Sequence, residues 1–156
     1  SYLDIAYQGQ FDIAVLIYCD FGVLPPEDRA VVLRRAYDAL KPGGLFLVDA
    51  WTEAQYVDFA EGWTVQQSPG GGFWSPDAYI EFKRQMAYPD GVFLEKYHIL
   101  TEEVLRTYYL WNKAYTQKTF AAELEAAGFA RPEFFGDVAG KRIEQGDKTL
   151  FAAARK

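Results

Sequence analysis

Two unbroken apolar runs with one helix-length segment between them leave this chain few folds to adopt. Phe11 to Cys19 reads FDIAVLIYC, and Leu45 to Trp51 reads LFLVDAW. Neither run alternates. A strand with one covered face shows apolar and polar residues by turns, whereas a parallel strand covered on both faces reads as continuous apolar sequence. Between the runs, Leu24-Pro25-Pro26-Glu27-Asp28 opens a helix, because Pro is tolerated in the first turn and acids suit the positive end of the dipole. Leu33, Ala36, Tyr37 and Leu40 follow at helical spacing as its buried stripe. Pro42-Gly43-Gly44 ends it. Strand, helix, strand at this spacing is a βαβ unit over residues 11–51, with parallel strands and a right-handed crossover. The expected fold class is α/β.

Beyond this unit the pattern changes. Thr52-Glu53-Ala54-Gln55 fits a capping box and opens a short helix through about Ala60. Ser68 to Trp74 (SPGGGFW) reads as a loop. Its glycines are no dinucleotide fingerprint, because no strand precedes them within a βαβ unit. Tyr79 to Tyr88, Val92 to Leu100 and Val104 to Tyr115 are rich in aromatic and β-branched residues mixed with charge. Pro89-Asp90-Gly91 and Thr101-Glu102-Glu103 separate them. These segments predict a three-stranded antiparallel meander over about 75–115, with one covered face and one wetter face. Thr116 then caps a helix with Phe120, Leu124 and Ala127 on one face, and Gly128 is its C′ glycine. Glu133 to Val138 and Thr149 to Ala154 are the last two strands. Residues 116–156 thus close the domain, and the whole of 1–156 reads as one partial domain.

Composition narrows the partners. Half of the 156 residues are apolar and 17% are aromatic, which excludes disorder and requires that many rings be buried or line a pocket. The net charge of −6 and the lack of any Lys/Arg run argue against nucleic acid. No apolar stretch approaches the length of a membrane span. The single Cys19 rules out an internal disulfide framework and suits a reducing cytoplasm.

The ordered elements resemble a known family. Phe11-Asp12 with its apolar strand, then Leu40-Lys41-Pro42-Gly43-Gly44 and an apolar strand ending in Asp49, look like the fourth strand, fourth helix and fifth strand of class I S-adenosylmethionine-dependent methyltransferases. Ala126-Ala127-Gly128-Phe129 followed by Glu133-Phe134-Phe135 resembles their last helix and sixth strand, and Thr149 to Ala154 their antiparallel seventh. The resemblance implies the C-terminal half of a Rossmann-like methyltransferase sheet, in strand order four, five, seven, six, with the meander inserted after strand five. It implies S-adenosylmethionine as cofactor and a small-molecule methyl acceptor, an amino sugar or another amine being one option. The family's Gly-rich cofactor loop and the acidic residue after strand two find no counterpart here. The chain is therefore expected to be part of a longer protein and inactive alone. Strand four would lack its neighbour, so self-association through residues 11–19 is expected. The rival reading is a binding or dimerisation module on the same fold, without chemistry.

Candidate site residues follow from the same resemblance. Leu3 and Asp4, in Tyr2-Leu3-Asp4-Ile5, resemble the segment before strand four whose acid accepts a hydrogen bond from the adenine amino group. A carboxylate suits that role because it only accepts. Tyr18, Cys19 and Asp20 lie at the carboxyl end of a parallel strand, where open α/β sheets bind ligands. Tyr18 and Cys19 are expected to border the cofactor. Asp20 could orient an amine or hydroxyl acceptor or take its proton, against the plainer reading of an Asp on the approach to a helix. Cys19 as methyl-accepting nucleophile is disfavoured, since no partner base is near in sequence. Phe21, Trp51, Trp74, Trp111 and Tyr115 are candidate acceptor contacts, against a reading as core and sheet packing. Asp49 could face the pocket mouth or cap the next helix. His98, the only histidine, sits mid-strand beside Lys96 and reads as a half-exposed sheet residue. No metal site is expected.

Overall fold

The structure is a computed structural model that describes all 156 residues. It divides into two compact units, one formed by residues 1–57 and 113–156 and the other by residues 58–112.

The first unit is an α/β sheet with two helices. β1 (Phe11–Leu16) pairs in parallel with β2 (Leu40–Trp51), which pairs antiparallel with β8 (Thr149–Arg155), which in turn pairs antiparallel with β7 (Glu133–Phe135). The order β1-β2-β8-β7 agrees with the order four, five, seven, six implied by the resemblance. α1 (Pro26–Ala39) connects the two parallel strands, with Pro25 as N-cap, Pro26 at N1, and Glu27 and Asp28 in the first turn. The βαβ unit thus forms, but α1 ends at Ala39, ahead of Pro42-Gly43-Gly44, and Leu40 is its C-cap and the first residue of β2 rather than part of the helical stripe. β1 and β2 meet at Phe11↔Leu40 and again from Ile13↔Leu45, so Lys41 to Gly44 bulge out of the ladder. Gly43 supplies the positive φ that this excursion needs, 78°.

α2 (Gln117–Ala126) is capped by Thr116, whose side chain accepts from the Thr119 N–H while the Thr119 hydroxyl accepts from the Thr116 N–H. It ends at Gly128 in a left-handed conformation, φ 104°. The core gathers Leu33 and Ala36 from α1, Phe46, Val48 and Ala50 from β2, Phe120 and Leu124 from α2, and Leu150, Ala152 and Ala154 from β8. Phe129, just beyond Gly128, stacks on Phe46 with ring centroids 5.3 Å apart.

The second unit is a four-stranded antiparallel sheet in the order β3-β4-β5-β6. β4 (Tyr79–Tyr88) and β5 (Val92–Leu100) lie where the sequence places them, joined through Pro89-Asp90-Gly91. β6 (Leu105–Lys113) is slightly shorter than expected. The expected three-stranded meander gains a fourth strand, β3 (Gly62–Ser68), which pairs along all of its length with β4. Six of its seven residues are exposed. An edge strand with so little burial lacks the apolar pattern by which strands are recognised, although Trp63, Val65 and Gln67 do share one face.

Three other expectations need correction. The helix expected from Thr52 to about Ala60 is a single 3-10 turn, Glu53–Tyr56. No residue of that turn is buried, so no apolar stripe exists to hold a longer helix. The Thr52 hydroxyl does accept from the Ala54 N–H, but it donates to the carbonyl of Asp147 instead of serving a capping box. β7 stops at Phe135, not Val138, because Gly136 turns away with its N–H on the Lys141 carbonyl. Finally, β1 is not covered on both faces. Ile13 and Val15 are each 55% exposed, and the strand ends at Leu16.

Candidate functional site

The carboxyl ends of β1 and β2 define the candidate site. Leu16 pairs with Val48, and the chain then leaves the sheet through Ile17, Tyr18 and Cys19 before the 3-10 turn Asp20–Val23. Tyr18 (φ 82°) and Cys19 (φ 59°) both adopt left-handed backbone. For residues with a Cβ this costs on the order of 1 kcal/mol or more each, so something must hold them there. Asp49, the residue after Val48, holds them. Its Oδ2 accepts from the Tyr18 N–H at 3.1 Å and its Oδ1 from the Cys19 N–H at 2.7 Å. The carboxylate is buried, 9% exposed. It neither opens to solvent nor caps the following turn.

This clamp sorts the candidate residues. The Tyr18 side chain is 89% exposed, projecting free of the sheet end. Cys19 points the other way and is buried. Its thiol is pushed up to about 12 by burial first, then by the carboxylates of Asp49 and Asp20. Such a thiol stays protonated, which removes the methyl-accepting role. Asp20 is exposed. Phe21 and Tyr115 are fully buried: Phe21 stacks on Phe120 at 5.5 Å, and Tyr115 lies 4.8 Å from the same ring. They support the site from beneath and present no surface of their own. Gly22 permits this packing, because a Cβ there would stand 2.8 Å from the Lys113 carbonyl oxygen. Trp51, half-buried at the end of β2, accepts the Tyr115 N–H on its carbonyl at 2.8 Å.

Leu3 and Asp4 belong to the segment before β1. The Leu3 N–H donates to the Ser1 hydroxyl, and the Asp4 side chain is exposed. Tyr2, Ile5 and Tyr7 line an apolar groove of about 310 Å³ along β1 with Ile13 and Val15.

Under the site lies a polar cluster that sequence reading did not reveal. Arg29 of α1, 7% exposed, pairs with Glu123 of α2 through Nε at 2.9 Å and Nη2 at 3.1 Å, and its Nη1 reaches the Leu24 carbonyl. The Tyr115 hydroxyl donates to the same Glu123 carboxylate at 3.1 Å. Burial and the adjacent carboxylate drive the Tyr115 phenol well above its usual range. Every polar atom of the cluster is matched, so it reads as a tie between the helices.

In the second unit the strand register separates two faces. Glu81, Lys83, Glu95 and Tyr97 share one of them. Trp74 packs on it with its ring 5.0 Å from Tyr97 and 4.8 Å from Tyr108, while its Nε1–H donates to Glu81 at 2.7 Å. Lys83 pairs with Glu95 and lies over the Tyr97 ring. His98, on the opposite face, stacks on Trp63 and shares a hydrogen bond with the Thr107 hydroxyl at 2.8 Å. Trp111, 43% exposed, packs against Tyr88.

No protein-family model matches the chain, and no curated protein does. Solved structures match it well. The CcbJ methyltransferase from Streptomyces caelestis superposes with a TM-score of 0.69 at 15% identity, over 99% of this chain and 61% of that one. An S-adenosylmethionine-dependent methyltransferase from Clostridium acetobutylicum gives 0.67 at 10% identity, over 99% and 62%. A sugar N-methyltransferase from Streptoalloteichus gives 0.57 at 17% identity, over 100% and 61%. The chain spans about three fifths of the length of each of these structures. At such identities the likeness is one of fold, and the fold of this chain is that of class I S-adenosylmethionine-dependent methyltransferases.

Proposed function

We propose that the protein containing this chain transfers a methyl group from S-adenosylmethionine to a small-molecule acceptor, an amine in the first instance. The observation that carries this reading is the Asp49-clamped turn at the carboxyl ends of two parallel strands, the place where open α/β sheets bind ligands. The groups offered there fit a cationic ligand. Tyr18 presents an open ring and Asp20 an exposed carboxylate, both attractive to a sulfonium or an ammonium. An N-methyltransferase among the similar folds supports an amine acceptor.

S-adenosylmethionine supplies an electrophilic methyl group when bound. What remains for the protein is alignment, exclusion of water and handling of the acceptor's proton. Tyr18 would cover one side of the cofactor, and Leu3 and Asp4 would meet its adenine, with the Asp4 carboxylate accepting from the exocyclic amine. Asp20 would orient the acceptor amine and take its proton. The backbone of Cys19, not its thiol, would shape the pocket. Phe21 and Tyr115 would hold this surface rigid from below. Trp51, Trp74 and Trp111 are the proposed acceptor contacts, Trp74 being fixed by its bond to Glu81.

Two narrower readings accompany this one. The 156-residue chain alone would bind the cofactor weakly, because it carries only part of the fold's length, and would self-associate through the open edge of β1. The free, buried Cys19 suits the reducing cytoplasm, where we place the protein; no helix is long and apolar enough to cross a membrane.

Calorimetry on the intact gene product tests the function. Micromolar binding of S-adenosylhomocysteine, with a matching rise in melting temperature, is expected. The absence of both would end the methyltransferase reading.

A further inference from the structure

We propose that Asp49 is a positioning residue, whose carboxylate holds the left-handed turn at Tyr18 and Cys19 and thereby sets Tyr18 and Asp20 for ligand binding. The inference rests on the methyltransferase reading and extends it to a residue that touches neither cofactor nor acceptor. Three observations converge. Both oxygens of Asp49 accept a backbone N–H, one from each residue of the turn. Both of those residues have positive φ, a conformation that neither Tyr nor Cys favours. Asp49 itself is anchored in an inner strand of the first sheet, with Val48 and Ala50 beside it fully buried.

The arrangement has a mechanical logic. β2 is paired with β1 as far as Val48 and with β8 through Asp49, which sits opposite Phe151, so the Cα of Asp49 is fixed in the sheet. The turn after β1 has no such ladder. Two charge-assisted hydrogen bonds carry the rigidity of the inner strand to a turn that would otherwise relax toward extended backbone. Relaxation would rotate Tyr18 and Asp20 together, because they flank the clamped peptide. A side chain without acceptors at this position leaves both amides unpaired in a buried setting, and an amide leaves one of them so, where an unmade hydrogen bond is costly.

The test uses the intact gene product with Asp49→Ala and the near-isosteric Asp49→Asn. Hydrogen exchange at single-residue resolution reports the clamp without any ligand. In Asp49→Ala the Tyr18 and Cys19 amides are expected to exchange roughly tenfold faster or more, the scale of one lost charge-assisted hydrogen bond, with the β8 amides unchanged. Asp49→Asn keeps one acceptor oxygen and is expected to fall between the two. Calorimetry with S-adenosylhomocysteine reports the positioning, and affinity is expected to drop about tenfold or more in Asp49→Ala, with partial recovery in Asp49→Asn. Unchanged exchange at Tyr18 and Cys19 would overturn the clamp. Faster exchange with unchanged affinity would overturn the positioning role. If the unsubstituted protein fails to bind S-adenosylhomocysteine, the methyltransferase reading fails, while the exchange data still decide whether Asp49 holds the turn.

Discussion

The Asp49 carboxylate accepts the Cys19 backbone N–H at 2.7 Å while the Cys19 thiol, on the same residue, is sealed from solvent. The bond fixes the backbone and the burial silences the side chain. Burial, with Asp49 and Asp20 nearby, raises the thiol to about 12. Native protein at neutral pH is therefore expected to resist thiol reagents, and to react fully once denaturant exposes Cys19. Rapid stoichiometric labelling of the native state would contradict the buried placement. The sign of the pH effect follows: a folded-state value raised above the unfolded one contributes stability that is fully present below about 9 and is lost as pH rises toward about 12. Unfolding midpoints taken across that alkaline window should fall, and the fall should be shallower in Cys19→Ala.

Arg29, Glu123 and Tyr115 form one coupled unit. Removing either charged partner leaves the other without its counterpart in a largely dry setting, so Arg29→Ala or Glu123→Ala is expected to cost roughly 3 kcal/mol. Tyr115→Phe keeps the ion pair and loses one hydrogen bond, and should cost about 1–2 kcal/mol. Urea unfolding of the three variants checks the ranking. Equal costs would mean that the phenol and the ion pair are not distinct contributions.

Phe120 is fully buried and packs on both Phe21 and Tyr115. Phe120→Ala opens a cavity beneath the candidate site and should destabilise by about 3–5 kcal/mol. A loss below about 1 kcal/mol in denaturant titration would show that this packing is looser than the structure indicates.

Trp74 joins the loop before β4 to the face that carries Glu81, Tyr97 and Tyr108. Under the proposed function, Trp74→Ala in the intact gene product is expected to raise KM for the acceptor severalfold, with little effect on S-adenosylhomocysteine affinity. Trp111→Ala should act in the same direction. If acceptor turnover is unchanged in both variants while the protein stays folded, the four-stranded sheet has a structural role only.

Self-association of the 156-residue chain has its own test. β1 pairs on one side only, and Phe11, Ile13 and Val15 are 40–55% exposed. The strand contains neither Pro nor Lys to protect its edge. Two copies related by a two-fold axis could join their β1 strands antiparallel. Light scattering of the chain at high concentration should give a dimer or a larger species, and Val15→Lys should shift it toward monomer. A clean monomer with slowly exchanging β1 amides would mean that the segment before β1 already covers the edge.

Much of the fold was legible because it rests on local physics. LFLVDAW had to be a buried strand and FDIAVL a strand beside it, Pro26 with Glu27 and Asp28 had to open a helix, and Gly128 had to end one; the exposure of Ile13 and Val15 was not in the local pattern. Each signal lies within a few residues of the element it specifies. Where the sequence misled, local chemistry was outvoted. Thr52 has a capping side chain, yet a helix after it had no apolar face to bury, and its hydroxyl went to Asp147 instead. β3 was missed because an exposed edge strand needs hydrogen bonds from β4 and almost no apolar area of its own.

The candidate site divides the same way. Local pattern alone puts Tyr18, Cys19 and Asp20 at the end of a parallel strand, since strand and helix limits are local properties. Which of them faces outward is settled by packing. That choice depends on two left-handed residues, and their conformation is held by a carboxylate thirty residues away in the chain. The Arg29–Glu123 pair spans ninety-four positions. Neither partnership leaves a periodicity or a spacing to read, because each is created only when separate strands and helices pack and bring distant charges into one buried volume.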